Sequence, residues 1–561
     1  MIIVSKDGSG DYTSIQEAVD AAPDGRRSPT IILVRMNEYQ ECVVIHKDNI
    51  RVIGEARDRT VLTAPIPSGK EAEDAAAQPS APLFTLLITG RNVEVENLTI
   101  RYDVQSSSDG QFPCAVYAAG DRGVWRNCRI FSSGCALLCT PVIPMVEELI
   151  FPRISHAEHT AQLTECPVTE SRQYFEFCHL QGSSQVACGA YSAWFEQCTL
   201  CMDADGGCYT DAWTPEGQAY GMVFHRSTLT GTSPESSGCL VGGKKNGKAV
   251  FLECSMDEHV KLQTEGECAP EDAYALWRTN DSSEKNSLCQ TEKKELTQDE
   301  ASIYNIPEVI GGYDRWRPDM RTPTWFLCGD STMANYPPDA APMTGWGQAL
   351  QSLLPETVFV ENCAVCGRSS KSFIAEKRLG FIELCLRRGD KLIISFSHND
   401  EKKDPLRYTS PRTTFPEYLD MYIDAARAHG AEPILATPIA RRHFDESGRL
   451  MATHGDYPDA MRAHASLRGV RLVEMEKATM ELVQKLGDAE SKTLYCHVPA
   501  NHPNYPDGAA DNSHLHLRGA IRYASLFLSM LRGEKVTEGQ VFSRNTGDVT
   551  GLIDKEDSVL R

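Results

Sequence analysis

Four short polar clusters in the second half of the chain carry the residue types that hydroxyl-nucleophile chemistry requires. Phe326-Leu-Cys-Gly-Asp-Ser-Thr332 breaks an apolar run into a Gly-Asp turn and delivers Ser331. Asn362-Cys-Ala-Val-Cys-Gly-Arg-Ser-Ser370 follows a second apolar run and Ser397-His-Asn-Asp400 a third, while Asp511-Asn-Ser-His514 stands shortly before a final helical pattern. An apolar strand that ends in Gly and small polar residues reads as a strand end facing a helix start, where ligands gather in open α/β sheets. Backbone N–H groups there suit a reaction that builds negative charge on an acyl oxygen. Gly-Asp-Ser-Thr alone also makes an ordinary N-cap turn. The shared placement of all four clusters is what favours chemistry, because a parallel sheet brings them to one edge.

The elements that must position these clusters follow from periodicity. Apolar strands are expected at Trp325–Cys328, Val358–Val360, Leu392–Phe396, Ile434–Ala436 and Val470–Val473. Helical spacing appears over Trp346–Leu354, Phe373–Arg388, Tyr418–His429, Met475–Leu486 and Leu517–Leu531. This alternation gives a parallel sheet covered on both faces by helices.

In order and in detail the four clusters resemble the blocks of the SGNH hydrolases, specifically the rhamnogalacturonan acetylesterase branch. Gly345-Trp-Gly-Gln348, Gly367-Arg-Ser-Ser370, Thr437-Pro-Ile439, Gly455-Asp-Tyr-Pro458 and Gly519-Ala520 support the likeness, which spans roughly residues 322–534. It implies an α/β/α, flavodoxin-like domain acting on an acetylated pectic oligosaccharide or polysaccharide. Ser331 is the expected nucleophile and His514 its base, because imidazole titrates near working pH and can return the proton to a leaving sugar oxygen. Asp511 would hold the imidazole tautomer. His516 is the rival base, and the family register, with Gly519 five positions on, favours His514. The resemblance implies the Ser331 N–H, the Gly367 N–H and the Asn399 amide as oxyanion donors. Arg368 is a candidate for gripping a uronate carboxylate, with an ordinary surface ion pair as its alternative. Asp330 orders the nucleophile turn or caps a following helix, and His398 and Asp400 shape their loop. One departure stands out: the family usually has Gly before His-Asn-Asp, and here it is Ser397.

The first half is β-rich. Asn97-Leu-Thr-Ile100, Asn127-Cys-Arg-Ile130, Phe177-Cys-His-Leu180, Gln197-Cys-Thr-Leu200, Arg226-Ser-Thr-Leu229 and Glu253-Cys-Ser-Met256 repeat one polar/apolar alternation. A recurrent phrase of this kind marks a solenoid with one strand of the phrase per coil, placing Cys128, Cys178, Cys198 and Cys254 in a ladder facing the interior. The inferred architecture is a right-handed parallel β-helix with an insertion over residues 132–170. Asp7-Gly-Ser-Gly-Asp-Tyr-Thr-Ser-Ile-Gln16, Gly120-Asp-Arg122, Arg172-Gln-Tyr-Phe175 and Asp314-Arg-Trp-Arg-Pro318 resemble the pectin methylesterases. That family's catalytic positions do not survive. Gln185 stands for the nucleophilic Asp, Ala136 for the acid/base Asp, Gly243 for the substrate-gripping Arg, and Phe112, next to Gln111, for the oxyanion Gln. An amide cannot attack as a carboxylate does, nor alanine carry a proton. A carbohydrate-binding groove, a structural role or a relocated site remain; Lys244, Lys245 and Lys248 could grip a polyuronide or simply be solvated.

The expected organisation is therefore residues 1–318 as an inactive methylesterase-like β-helix, 319–323 as linker, 324–534 as the esterase domain and 535–561 as a tail. With 56 Lys+Arg against 77 Asp+Glu, a formal charge of −21 argues against nucleic acid and offers no long-range steering to an anionic polymer. No apolar run is long enough to span a bilayer, and none resembles a signal peptide, so a cytoplasmic protein is expected unless a secretory leader has been trimmed. The 20 cysteines read as buried reduced thiols. Neither Cys198/Cys201 nor Cys363/Cys366 has a second pair at zinc-ribbon spacing. The serine mechanism requires no metal or organic cofactor. Rival readings are an acetylesterase for xylan or homogalacturonan, and a glycan-binding protein with no activity.

Overall fold

Seven residues of the first half share one backbone conformation: Asn97, Asn127, Phe177, Gln197, Arg226, Glu253 and Arg278 have φ between 46° and 57°. Six of them head the repeated phrases, and Arg278 heads a seventh. A single left-handed residue turns the chain sharply between two strands. Thus Gly123–Arg126 leads through Asn127 into Arg129–Ser132, and Ser192–Glu196 through Gln197 into Thr199–Met202. A third strand, such as Cys135–Cys139 or Gln185–Gly189, completes each coil. Successive coils pair in parallel, with Phe175 opposite Phe195 and Leu180 opposite Leu200. Among the described residues the result is three sheets of 11, 9 and 8 strands, a parallel β-helix.

The computed structural model describes residues 1–26, 28–65, 83–103, 113–140, 171–242, 247–261, 274–281, 294–355 and 357–533. The chain divides after Arg321 into two compact units. Gln111, Phe112, Gly243, Lys244, Lys245, most of the expected insertion and the tail 535–561 lie outside the described residues.

In-register stacking fills the helical interior with like on like. Trp125, Phe175, Phe195, Phe224 and Phe251 form one column of rings, with successive centroids 5.6, 4.6, 4.5 and 4.9 Å apart. Cys128, Cys178, Cys198 and Cys254 form the expected thiol column and are all buried. Their S–H groups donate to backbone carbonyls, as Cys178 does to Trp125 at 3.5 Å, which lowers the cost of burying them. Burial pushes the Cys254 thiol up to about 12, so it stays protonated. Arg172 ties three of the quoted phrases together. It bonds Asp121 at 2.8 Å and Asp314 at 2.7 Å, and its guanidinium lies 5.5 Å from the Trp316 ring.

The second unit begins with β1 (Thr324–Gly329), followed by α1 (Trp346–Leu350), β2 (Phe359–Asn362), α2 (Ser370–Ala375), α3 (Arg378–Cys385), β3 (Lys391–Ser395), α4 (Thr414–Ala428) and β4 (Glu432–Ala436). Then come α5 (Tyr457–Arg468), β5 (Arg471–Val473), α6 (Met475–Glu490), the antiparallel pair β6 (Tyr495–Val498) and β7 (Ala509–Leu515), and α7 (Leu517–Arg532). The five-stranded sheet is parallel, in the order β2-β1-β3-β4-β5. Alternate strand residues supply its two faces. Leu327 and Ile393 pack with Trp346, Val483 and Phe527, whereas Phe396, on the opposite face, meets Phe373 and Tyr422. Helices thus cover both sides.

Two features differ from expectation. The helical run Phe373–Arg388 breaks into α2 and α3 because Lys377 adopts φ +60°. Helix α5 was not foreseen; its signals are Pro458 in the first turn and Gly469 at the left-handed C-cap. No described helix is long and apolar enough to cross a membrane. Two substitutions test the coil geometry. Phe195→Ala should lower stability by about 3–5 kcal/mol, and Phe177→Gly should raise it by up to about 1 kcal/mol by relieving the left-handed position. Denaturant unfolding of the full chain measures both.

Candidate active site

The strand order fixes where a site can form. β1 lies between β2 and β3, so the loops leaving β1, β2 and β3 diverge at a topological switch point, and Ser331, Gly367 and Asn399 sit on those loops. Side chains, rather than a helix, hold the turn at Ser331. Asp330 Oδ1 accepts from the Thr332 N–H at 3.0 Å and the Thr332 hydroxyl at 2.8 Å, and the Asp330 carbonyl accepts the Met333 and Ala334 N–H groups. Tyr336 donates its hydroxyl to the Ser331 carbonyl at 2.8 Å. The expected helix start is absent here: the next helix, α1, begins at Trp346. The Gly-Asp turn is self-supporting, and of the two roles weighed for Asp330 it is turn ordering that the geometry displays.

The partner groups arrive on β7, not on a loop as the sequence suggested. His514 Nε2 lies 2.9 Å from Ser331 Oγ, and His514 Nδ1 lies 2.6 Å from Asp511 Oδ2. Asp511 Oδ1 also accepts the N–H groups of Ser513 at 2.7 Å and His514 at 2.9 Å. Partial burial acts to raise the Asp511 pKa, but the His514 ring and these backbone donors outweigh it and hold the carboxyl down to about 2. His516, the rival base, instead caps α7, its Nδ1 accepting the Arg518 N–H at 3.3 Å.

Two expected oxyanion donors stand ready. Neither the Ser331 N–H nor the Gly367 N–H has a hydrogen-bond partner among the described residues. Gly367 has φ +78°, and a Cβ built there would meet nothing within 4 Å, so the backbone borders open space. Asn399 Nδ2 donates one bond to the Arg368 carbonyl at 3.1 Å, which fixes the amide. Beneath it, buried Asp400 receives the Ser370 N–H at 3.2 Å and the Thr409 hydroxyl at 3.0 Å, locking the third cluster to the second. Burial pushes the Asp400 carboxyl up to about 7 against the opposing pull of those donors. His398 is buried, and desolvation, reinforced by nearby His454 and Arg441, holds its pKa well below the ordinary range and keeps the ring neutral.

A pocket of about 490 Å³ opens over Ser331 and His514. Arg368 does not line it; its Nε bonds the Glu376 carboxylate at 3.0 and 3.1 Å and its Nη1 bonds the Cys366 carbonyl at 3.0 Å. The cations at the pocket are Lys402 and Arg441, which sequence reasoning did not single out. The neighbouring His-Asn-Asp and Thr-Pro-Ile phrases were the only signals pointing to them.

At the methylesterase positions of the first unit, pairing places Cys135 opposite Gln185, whereas Ala136 belongs to the helical interior. Gln185 Nε2 donates to Asp211 Oδ2 at 3.1 Å. Lys248 is held by the Gln218 and Ala219 carbonyls at 2.7 and 3.2 Å. Cys198, Cys201, Cys363 and Cys366, the two Cys-x-x-Cys pairs, are free thiols. Asp257, Glu258 and His259 bring potential metal-ligand atoms within 4.8 Å of one another, but His259 Nδ1 is already bonded to Asp257 at 2.9 Å.

In comparison with known proteins the two units resemble different families. Residues 1–138 match the family described as Pectinesterase, and residues 327–520 match the GDSL-like Lipase/Acylhydrolase family. The chain is 45% identical over 202 residues to rhamnogalacturonan acetylesterase RhgT of Bacillus subtilis, covering 36% of this chain and 86% of that protein. It is 26% identical over 237 residues to pectinesterase 31 of Arabidopsis thaliana, covering 41% of this chain and 65% of the relative. Pectin methylesterase PemA from Erwinia chrysanthemi superposes with a TM-score of 0.44 at 20% identity, covering 57% of this chain and 98% of that structure.

Ser397 occupies the position where glycine was expected, with φ +153°, a fully buried side chain and a hydroxyl without a hydrogen-bond partner. That conformation favours glycine. Ser397→Gly should therefore stabilise the second unit by about 1–3 kcal/mol, read as a higher midpoint in urea.

Proposed function

The second unit belongs to the GDSL-like acylhydrolases and is a serine carboxylic ester hydrolase, and from this we propose that it removes O-acetyl groups from pectic saccharides of the rhamnogalacturonan type. The observation that carries the reading is the unbroken relay from Ser331 through His514 to Asp511, beside two N–H groups that lack partners among the described residues. Ser331 Oγ attacks the acetyl carbonyl while His514 Nε2 takes its proton. Asp511, ionised far below neutral pH, accepts the Nδ1–H and steadies the imidazolium. The tetrahedral oxyanion is met by the Ser331 and Gly367 N–H groups and the free amide hydrogen of Asn399, each worth about 3 kcal/mol at the transition state. His514 then protonates the sugar oxygen, which departs. A water activated by the same ring attacks the acetyl-enzyme, and acetate and free Ser331 result.

The substrate assignment draws support from the relative of 45% identity, a rhamnogalacturonan acetylesterase. The first unit we read as inactive on methyl esters, because Gln185 and Cys135 stand side by side where a pair of carboxylates would be needed. A carbohydrate-binding or scaffolding role fits that replacement.

Ser331→Ala should abolish acetate release from acetylated rhamnogalacturonan oligosaccharides. Asn399→Ala should lower kcat by about 10²–10³-fold, and Asp511→Asn by about 10⁴-fold. Comparing rhamnogalacturonan, homogalacturonan and xylan tests the substrate: faster release from acetylated xylan would overturn the pectic assignment. Methanol produced from methylated pectin by the Ser331→Ala variant would overturn the reading of the first unit.

A further inference from the structure

The pocket at Ser331 has a charge pattern at odds with the protein that contains it. The chain carries −21 overall, yet none of the described residues lining the pocket bears a carboxylate, while Lys402 and Arg441 bear positive charge. The two cations differ in what already holds them. Arg441 forms an ion pair with Glu401, and the same guanidinium approaches the His398 carbonyl at 3.4 Å. Its charge is compensated and its position fixed. Lys402 Nζ has no hydrogen bond or ion pair among the described residues, although the Lys402 N–H anchors its backbone to the Asn399 carbonyl at 3.2 Å. An uncompensated ammonium is thus fastened, through the main chain, to the residue that offers its amide to the reacting ester.

We propose that Lys402 is a specificity-determining residue that binds a carboxylate on the acetylated sugar or its neighbour, so that the site selects acetyl esters of free uronates over neutral ones. The inference rests on the esterase reading above and names the charge of its substrate. A net-negative protein repels a polyuronide at long range, and screening confines any attraction to a Debye length of about 8 Å at physiological salt. Recognition must then come from a cation at the pocket itself, and Lys402, exposed and lining it, is such a cation. A lysine suits this task because its ammonium is a flexible point charge, able to follow carboxylates presented at slightly different angles by differently placed acetyl groups. Arg441, already committed to Glu401, forms a rigid wall beside it. The selectivity is a difference of affinities: a methyl-esterified uronate of the same shape gains nothing from the ammonium and must still desolvate it.

The test compares one acetylated rhamnogalacturonan oligosaccharide with the same oligosaccharide after methyl esterification of its carboxyls. For the wild type, kcat/KM should favour the free acid by about tenfold or more, chiefly through KM. The preference should shrink at about 0.5 M salt. Lys402→Met should bring the ratio close to one, Lys402→Glu should invert it, and Lys402→Arg should keep most of it. A wild type that cleaves both oligosaccharides equally, or a Lys402→Met enzyme that keeps the full ratio, overturns the inference and leaves the esterase reading standing. If the wild type releases acetate from neither, and matches Ser331→Ala on 4-nitrophenyl acetate, the esterase reading falls and the inference with it.

Discussion

The second unit brings together groups 183 residues apart in the chain, with His514 Nε2 2.9 Å from Ser331 Oγ. A hydroxyl is a weak nucleophile until a base holds its proton, and that base must be placed to within a few tenths of an ångström. Two independent pieces of scaffold achieve the placement. The parallel sheet fixes Ser331 at the end of β1. The β6–β7 pair fixes His514, with Tyr495 opposite Leu515 and His497 opposite Ala510. Two hydrogen bonds then join these pieces: the Thr344 N–H bonds the Leu515 carbonyl at 2.9 Å and the Leu517 N–H bonds the Pro342 carbonyl at 2.9 Å, together forming an antiparallel bridge between Met343 and His516.

Beneath the pocket lies a buried polar layer whose members are positioned by one another. Asp400 receives Ser370 and Thr409, Tyr422 donates to the Ser370 carbonyl at 2.9 Å, and Tyr457 donates to the Asp400 carbonyl at 2.9 Å. Such a network is costly if partly satisfied and rigid if fully satisfied. Its effect here is to tie the loop after β3 to the start of α2. The strained Ser397 sits inside the same layer, where surrounding packing over-determines its backbone.

The first unit shows the opposite economy. Its stability comes from repetition: one left-handed residue, one interior side chain and one ring per coil, each stacked on its like. Gln185 and Cys135 lie opposite each other on the outer face, apart from the ring column, so the architecture does not depend on them. The outward residues, not the architecture, decide what this unit does.

Much of this was legible in one dimension. The solenoid was readable because stacking in register forces the same residue class to recur at the same point of every coil, from Asn127-Cys128 to Glu253-Cys254. The parallel sheet was readable because buried strands must be apolar and covering helices amphipathic. Ser331, His514 and Asp511 could be named from residue type beside strand ends and helix starts, with family register choosing His514 over His516, whereas Gly367 and Asn399 were named from the resemblance to the SGNH blocks. Other features depended on contacts that no local pattern encodes. Helix α5 and the β6–β7 pair take their stability from packing, so their periodicity is faint. Whether Ala136 or Cys135 faces outward depends on strand pairing, where a shift of one residue exchanges the two faces. Arg368 and Lys402 looked alike as exposed cations; only the folded chain gives Arg368 to Glu376 and leaves Lys402 facing the pocket. The sequence by itself determined which groups can react, because that is a property of side-chain type. The tertiary structure decided which of them meet, because distance between residues remote in the chain exists only once the sheet and the β6–β7 pair have formed.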